Sequence, residues 1–275
     1  MRAKKSTALA GAPEIETSFY NPYENPAQFQ AVDVQGVASN YAPYFGGDVA
    51  PVPEQAAVAA SMPGGFTQIG VRDTSRPVGP KVRLPGELGK FVGGEIERHE
   101  YALALRGDKG AGKSRFQYQL LNLFAALGFN CGLFTLEIDK NSGVIEKYRD
   151  RYIAPANRAR VQATSACDGI KSIREAAKVF DVIAVDSWGK IPNVAATDFD
   201  KLRKDFPATM FIVIFQSTSG GTARGGPSVE YDASAVCQVN LPGVAVFEKN
   251  RYADGAADEF QWDVNTQKLI GPAGA

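Results

Sequence analysis

Apolar residues change their rhythm near residue 84. From there on, β-branched and aliphatic runs recur at 101–106, 131–136, 181–186 and 209–216, and polar or amphipathic stretches separate them. Behind the first run, Phe116, Leu120, Leu121, Phe124 and Leu127 recur at helical spacing. Short buried strands alternating with helices predict an α/β fold, with a mostly parallel twisted sheet covered by helices on both faces. Beyond about Ala233 the spacing tightens. Residues 235–240, 244–250 and 259–264 read as short strands joined by tight turns, a C-terminal antiparallel extension of the sheet.

The first eighty residues lack either period. Nine of the sixteen prolines fall there, among alanine, glycine, glutamine and asparagine, so 1–80 reads as a flexible tail before a domain at 81–275. Phe19, Tyr20, Tyr23 and Phe29, then Tyr41, Tyr44 and Phe45, interrupt this tail. Such aromatics either anchor a protein partner or lie back on their own domain.

Thirty basic residues balance thirty acidic ones, so no global field draws the chain to nucleic acid or an anionic membrane, and any such contact must be local. Cys131, Cys167 and Cys237 form no C-x-x-C pair, and His99 is the lone imidazole, so no zinc site can be built. Free cysteines in apolar runs suit a reducing compartment, and no apolar run is long enough to span a bilayer. The expected location is cytoplasmic.

Between the 101–106 run and the following helix stands Gly107-Asp108-Lys109-Gly110-Ala111-Gly112-Lys113-Ser114, which fits G-x-x-x-x-G-K-[ST]. A glycine turn at a helix N-terminus wraps backbone N–H groups around a phosphate. Lys113 would then reach the outer phosphates and the Ser114 hydroxyl would ligate Mg²⁺. The run Asp181-Val182-Ile183-Ala184-Val185-Asp186 ends in an acid, like a Walker B strand, which makes Asp186 the second candidate for the Mg²⁺ shell. Glu137 ends the 131–136 run, where a carboxylate can polarise an attacking water or simply face solvent. Gln216 ends the 209–216 run, where an amide can sense a terminal phosphate or be an ordinary surface glutamine. These parts point to a nucleotide hydrolase using ATP and Mg²⁺. No N-K-x-D guanine-reading motif is present, and the arginines at 149–160 read as helix and loop surface rather than a kinase lid.

The order P-loop, Glu137, Asp186, Gln216, then Lys249-Asn250-Arg251-Tyr252 resembles the RecA-like P-loop ATPases, most closely their RadA/Sms branch, whose motif at the last position is Lys-Asn-Arg-Phe-Gly. Here Tyr252 and Ala253 replace the phenylalanine and glycine. The segment 221–230 and the stretch 84–94 resemble the same branch, and Thr135-Leu136-Glu137 is similar to the Phe-Ser-Leu-Glu motif of ring-shaped replicative helicases. The resemblance implies that Glu137 is catalytic and that Lys249 and Arg251 reach the γ-phosphate of a neighbouring subunit, so the protein would be a homo-oligomeric ring or filament. It implies a DNA-binding loop at 217–228 with 187–197 as its companion, and hence Lys190, Gly220, Gly221, Arg224 and Gly225 as contacts to single-stranded DNA. The expected role is a helicase-like or translocase motor in recombination, repair or replication. The alternative is an oligomeric ATP-driven switch or assembly factor that acts on a protein through its tail, without DNA. The sequence carries neither the four-cysteine zinc module nor the Lon-protease-like domain usual in that branch.

Overall fold

The computed structural model describes residues 81–195, 197–216, 231–253 and 260–271, all within the compact unit Thr74–Ala275. The expected tail aromatics and the glycine-rich segment with Gly220, Gly221, Arg224 and Gly225 lie outside the described residues.

Strands β1 (Lys81–Arg83) and β2 (Glu95–Glu97) form a small antiparallel pair around helix α1 (Gly86–Val92). The core strands are β3 (Ala102–Arg106), β4 (Cys131–Thr135), β5 (Val161–Thr164), β6 (Val182–Asp186), β7 (Met210–Ile214) and β8 (Ala235–Asn240). They are followed by β9 (Val244–Asn250), β10 (Gln261–Asp263) and β11 (Lys268–Ile270). The sheet order is β11-β10-β9-β8-β3-β7-β6-β4-β5. Neighbours from β8 to β5 are parallel, and those from β8 to β11 antiparallel, as the tightening of the sequence pattern implied.

Alternate side chains of the central strands enter two different cores, which is why these strands are apolar on both faces. Leu103, Leu105, Leu133, Val182, Ile212 and Ile214 pack on the side of α1 and helix α2 (Lys113–Ala126). Ala102, Ala104, Ile183, Val185, Phe211 and Val213 pack on the side of helices α4 (Ile170–Ala177) and α5 (Thr197–Asp205). Helix α3 (Gly143–Tyr152) follows β4, with Ser142 as its N-cap accepting from the Val144 N–H.

Helix α2 is the one that carries the P-loop into the core. Phe116, Leu120, Leu121 and Phe124 are fully buried, and Phe124→Ala would cost about 3–5 kcal/mol. It ends in a Schellman turn. Gly128 N–H bonds Ala125 O at 3.0 Å, Phe129 N–H bonds Phe124 O at 3.2 Å, and the two phenylalanine rings meet at 6.3 Å. The buried Gln119 fastens the antiparallel extension to this helix. It donates to Val264 O at 2.8 Å and accepts from Trp262 Nε1 at 2.7 Å.

Besides the small β1–β2 pair, two strands of the main sheet were not expected from the pattern. β5 reads Val-Gln-Ala-Thr with half-exposed ends, an edge strand paired on one side alone, so it shows no apolar run. β11 is equally short and exposed. Among the described residues, no helix is long and apolar enough to cross a membrane.

Candidate nucleotide site

Because the parallel strands share one direction, β3, β7, β6 and β4 deliver their C-terminal ends to one edge of the sheet, where α/β folds bind ligands. The chain leaves β3 through Gly107, Gly110 and Gly112, at φ 137°, 84° and 108°, conformations that L side chains rarely adopt. Gly107 has a second reason to be glycine. A Cβ there would stand 2.0 Å from the Val239 carbonyl oxygen on β8.

Lys113 opens α2 and curls over the loop, its Nζ donating to Gly107 O and Asp108 O, both at 2.8 Å. Burial holds the Lys113 pKa below its ordinary value, against the opposing pull of Asp186, Glu137 and Asp108. Ser114 Oγ donates to Asp186 Oδ2 at 2.6 Å. Burial holds the Asp186 carboxyl above its usual range; the Ser114 hydrogen bond opposes this and the nearby Glu137 adds to it. The chain's next peptide bond, Asp186–Ser187, is cis.

Glu137 sits beside this pair because the Asp186 carbonyl accepts from the Leu136 N–H at 2.7 Å and the Glu137 N–H at 3.2 Å. Its Oε1 accepts two hydrogen bonds, from Ser187 Oγ at 2.7 Å and Gln216 Nε2 at 2.6 Å. The glycine loop, Lys113, Ser114, Glu137, Asp186 and Gln216 line one open cavity of about 1040 Å³, with Ser187 buried behind it; the cavity also takes in Lys109, Arg115, Tyr148 and Lys190 and is large enough for a nucleotide. Arg115 bonds Asn265 of the β10–β11 turn, so the C-terminal extension helps to set that wall.

The donor set fits Mg²⁺ with a triphosphate. Hard oxygens of one hydroxyl and one carboxylate stand beside a glycine cradle at a helix N-terminus, and Mg²⁺ typically takes few protein ligands and completes its shell with phosphate and water.

Of the sequence candidates, 107–110, 112–114, Glu137, Asp186 and Gln216 come together in this cavity, while Ala111 is buried in the core beneath it; Lys190, which sequence reading assigns to nucleic acid, lines the cavity too. Lys249 and Arg251 do not. β9 runs antiparallel to β8 and pairs Asn250 with Ala235 at the start of β8, whereas Gly107 lies against Val239 near its end. Four residues of strand separate the two levels, roughly 13 Å. Lys249 Nζ donates to Tyr231 O at 2.9 Å and Ala233 O at 2.7 Å, and burial, with Arg251 beside it, lowers its pKa. Arg251 lines a second cavity of about 580 Å³ with Glu97, His99, Arg203 and Tyr252. Ser187, Tyr148 and Arg115 were not singled out from sequence. Ser187 carried a signal, its place directly after the Walker B aspartate, while Tyr148 and Arg115 had none that separates them from surface residues.

This fold and this cavity define a RecA-like P-loop architecture, a mixed sheet with its phosphate loop at the parallel edge. Two solved structures are similar in fold. One is the flagellar accessory protein FlaH from Methanocaldococcus jannaschii, with a TM-score of 0.50 and 16% identity over 62% of this chain and 87% of that one. The other is the KaiC-like protein PH0186 from Pyrococcus horikoshii OT3, with a TM-score of 0.51 and 15% identity over 71% of this chain and 99% of that one. No protein-family model matches the chain, and no curated protein does.

Proposed function

We propose that this protein is a Mg²⁺-dependent ATPase that works as a homo-oligomeric ring or filament. The observation that carries the reading is the convergence of the Ser114–Asp186 pair and the doubly held Glu137 in one cavity over the glycine loop.

Residues 107–112 wrap the phosphates with backbone N–H groups, and Lys113 exchanges its two loop carbonyls for phosphate oxygens. Mg²⁺ bound at Ser114 and Asp186 would neutralise charge on the outer phosphates. With Oε1 occupied by Ser187 and Gln216, Glu137 turns Oε2 to the attacking water, orients it and accepts its proton. Gln216 donates its Nε2 hydrogen bond to that glutamate, so a change at the terminal phosphate is passed to the segment that follows Gln216.

Lys249 and Arg251 act on a neighbour's nucleotide. The support is their level in the sheet: a group roughly 13 Å from its own phosphate loop along the strands serves hydrolysis in another subunit. DNA is the proposed effector, contacted by Gly220, Gly221, Arg224 and Gly225. A backbone-rich loop with one arginine binds a phosphate chain without reading sequence. A role in recombination, repair or replication as a helicase-like or translocase motor follows from that contact, in the cytoplasm.

One observation favours the second reading, an ATP-driven switch acting on a protein through the tail. Lys190, a cation assigned to DNA, also lines the nucleotide cavity, and Arg224 is the one basic residue of the glycine segment 217–228.

Steady-state ATP hydrolysis with Mg²⁺, with and without single-stranded DNA and at several protein concentrations, tests both. Turnover that rises steeply with protein concentration and is stimulated by DNA supports the motor. DNA-indifferent turnover, with a partner interaction lost on deletion of residues 1–66, supports the switch, and absence of turnover under all conditions rejects both.

A further inference from the structure

We propose that Lys190 is a cis-acting nucleotide contact whose ammonium binds the terminal phosphate of a nucleoside triphosphate in the P-loop cavity. The proposal rests on the ATP-binding reading above and assigns a residue and a phosphate position that the P-loop pattern does not include.

After Asp186 and Ser187 the chain enters a one-turn 3-10 helix, Trp188–Lys190. Trp188 is 2% exposed and its ring packs against Phe199 and Phe215, with centroids 5.5 and 5.9 Å apart. On the other side of Lys190, Ile191 is 4% exposed. The turn is closed by Lys190 N–H to Ser187 O at 3.0 Å and Ile191 N–H to Trp188 O at 3.1 Å. Lys190 is therefore an exposed residue between two buried anchors, and its place on the backbone is set by the core rather than by a loose loop.

Lys190 is one of the residues that line the nucleotide cavity. Phe215, which touches Trp188, directly precedes Gln216, so one aromatic cluster positions both Lys190 and the amide that holds Glu137. Gly189 lies close to the same amide; a Cβ there would be 3.9 Å from Gln216 Oε1. Lys190 thus shares one cavity with Asp186, Glu137 and Gln216, the groups that the ATPase reading places at the outermost phosphate, whereas the loop 107–112 would wrap the inner ones. A diphosphate leaves this lysine without its anion and a triphosphate supplies it. The cation would also meet charge that builds on the phosphoryl oxygens during transfer.

The test is equilibrium binding of ADP and of a non-hydrolysable ATP analogue, with Mg²⁺, to the full chain, Lys190→Ala, Lys190→Arg and Lys113→Ala, with single-stranded DNA binding measured on the same samples and thermal melting as the folding control. Lys190→Ala should weaken the triphosphate analogue about tenfold or more and ADP by less than about twofold, with Lys190→Arg recovering most of the loss. Equal loss for both nucleotides, no loss for either, or lost DNA binding with intact nucleotide affinity overturns the proposal. A full chain that binds neither nucleotide overturns the ATP-binding reading and this proposal with it, whereas nucleotide binding abolished by Lys113→Ala alone rejects only the role of Lys190.

Discussion

Ser114 Oγ donates a 2.6 Å hydrogen bond to Asp186 Oδ2, which ties the first turn of the P-loop helix to the tip of β6 across 72 residues of sequence. Both ends belong to the proposed Mg²⁺ shell, so substitutions there test it directly.

Asp186→Asn keeps an oxygen for the Ser114 hydroxyl and removes the charge. Apparent Mg²⁺ affinity should fall about 10–100-fold. Because burial disfavours the Asp186 carboxylate, the melting temperature should hold or rise. Mg²⁺ titrations of hydrolysis beside a thermal melt check both, and an unchanged Mg²⁺ requirement would remove Asp186 from the shell.

Glu137→Gln should retain ATP binding and lose roughly 10²–10⁴ in turnover, which traps the ATP-bound assembly. Ser187→Ala removes one of the two donors to Oε1 and should lower kcat with little change in KM. If KM alone rises, the Ser187 hydroxyl serves binding rather than the orientation of Glu137.

Arg251→Ala should leave nucleotide binding near normal and cut hydrolysis by about 10³ or more. Mixed with Glu137→Gln subunits, it should recover part of the activity, because a mixed interface joins one intact glutamate to one intact arginine. No recovery at any ratio would place Arg251 outside a shared site.

Gly107→Ala meets both a positive φ and a Cβ position 2.0 Å from the Val239 carbonyl. It should displace the loop from β8 and abolish nucleotide binding, with a stability loss of about 1–3 kcal/mol or more. Gly110→Ala, with open space around its Cβ, should lose less. Denaturant unfolding and nucleotide titration of the two variants check the order.

Cys167 is the half-buried cysteine, while Cys131 and Cys237 are buried. Burial pushes the Cys131 thiol up to about 12 from its ordinary 9.0, with Asp181 adding and Arg160 opposing, and burial raises Cys237 as well. A thiol reagent at mild alkaline pH should label Cys167 first and the others on unfolding. Above pH 9.0 the unfolded chain sheds the Cys131 proton that the folded one keeps, so stability should decline from there toward about pH 12. Cys131→Ala should flatten part of that decline in pH-dependent melts.

How much of this was legible in the chain follows from which residues carried local signals. The β3–loop–α2 unit was readable because its strand, glycines, lysine and helical face are contiguous, and the strands ending at Glu137, Asp186 and Gln216 were readable because apolar runs stop at a polar residue. The edge strand β5 was not, since it pairs on one side and needs no apolar run.

What the sequence by itself determined is the buried central elements, their covered faces and the chemistry at each strand tip. Only the tertiary structure decided which tips are neighbours. Ser187 and Gln216, 50 and 79 residues from Glu137, share its Oε1 because β7 and β6 insert between β3 and β4 in the sheet. Lys190 comes to line the nucleotide cavity beside the buried Trp188–Phe215 pair, and Arg251 lies at the far level because β9 returns antiparallel to β8. The physical reason is that hydrophobic periodicity encodes whether a face is covered and leaves open which strand lies alongside, a choice made when the non-sequential sheet closes around its two cores.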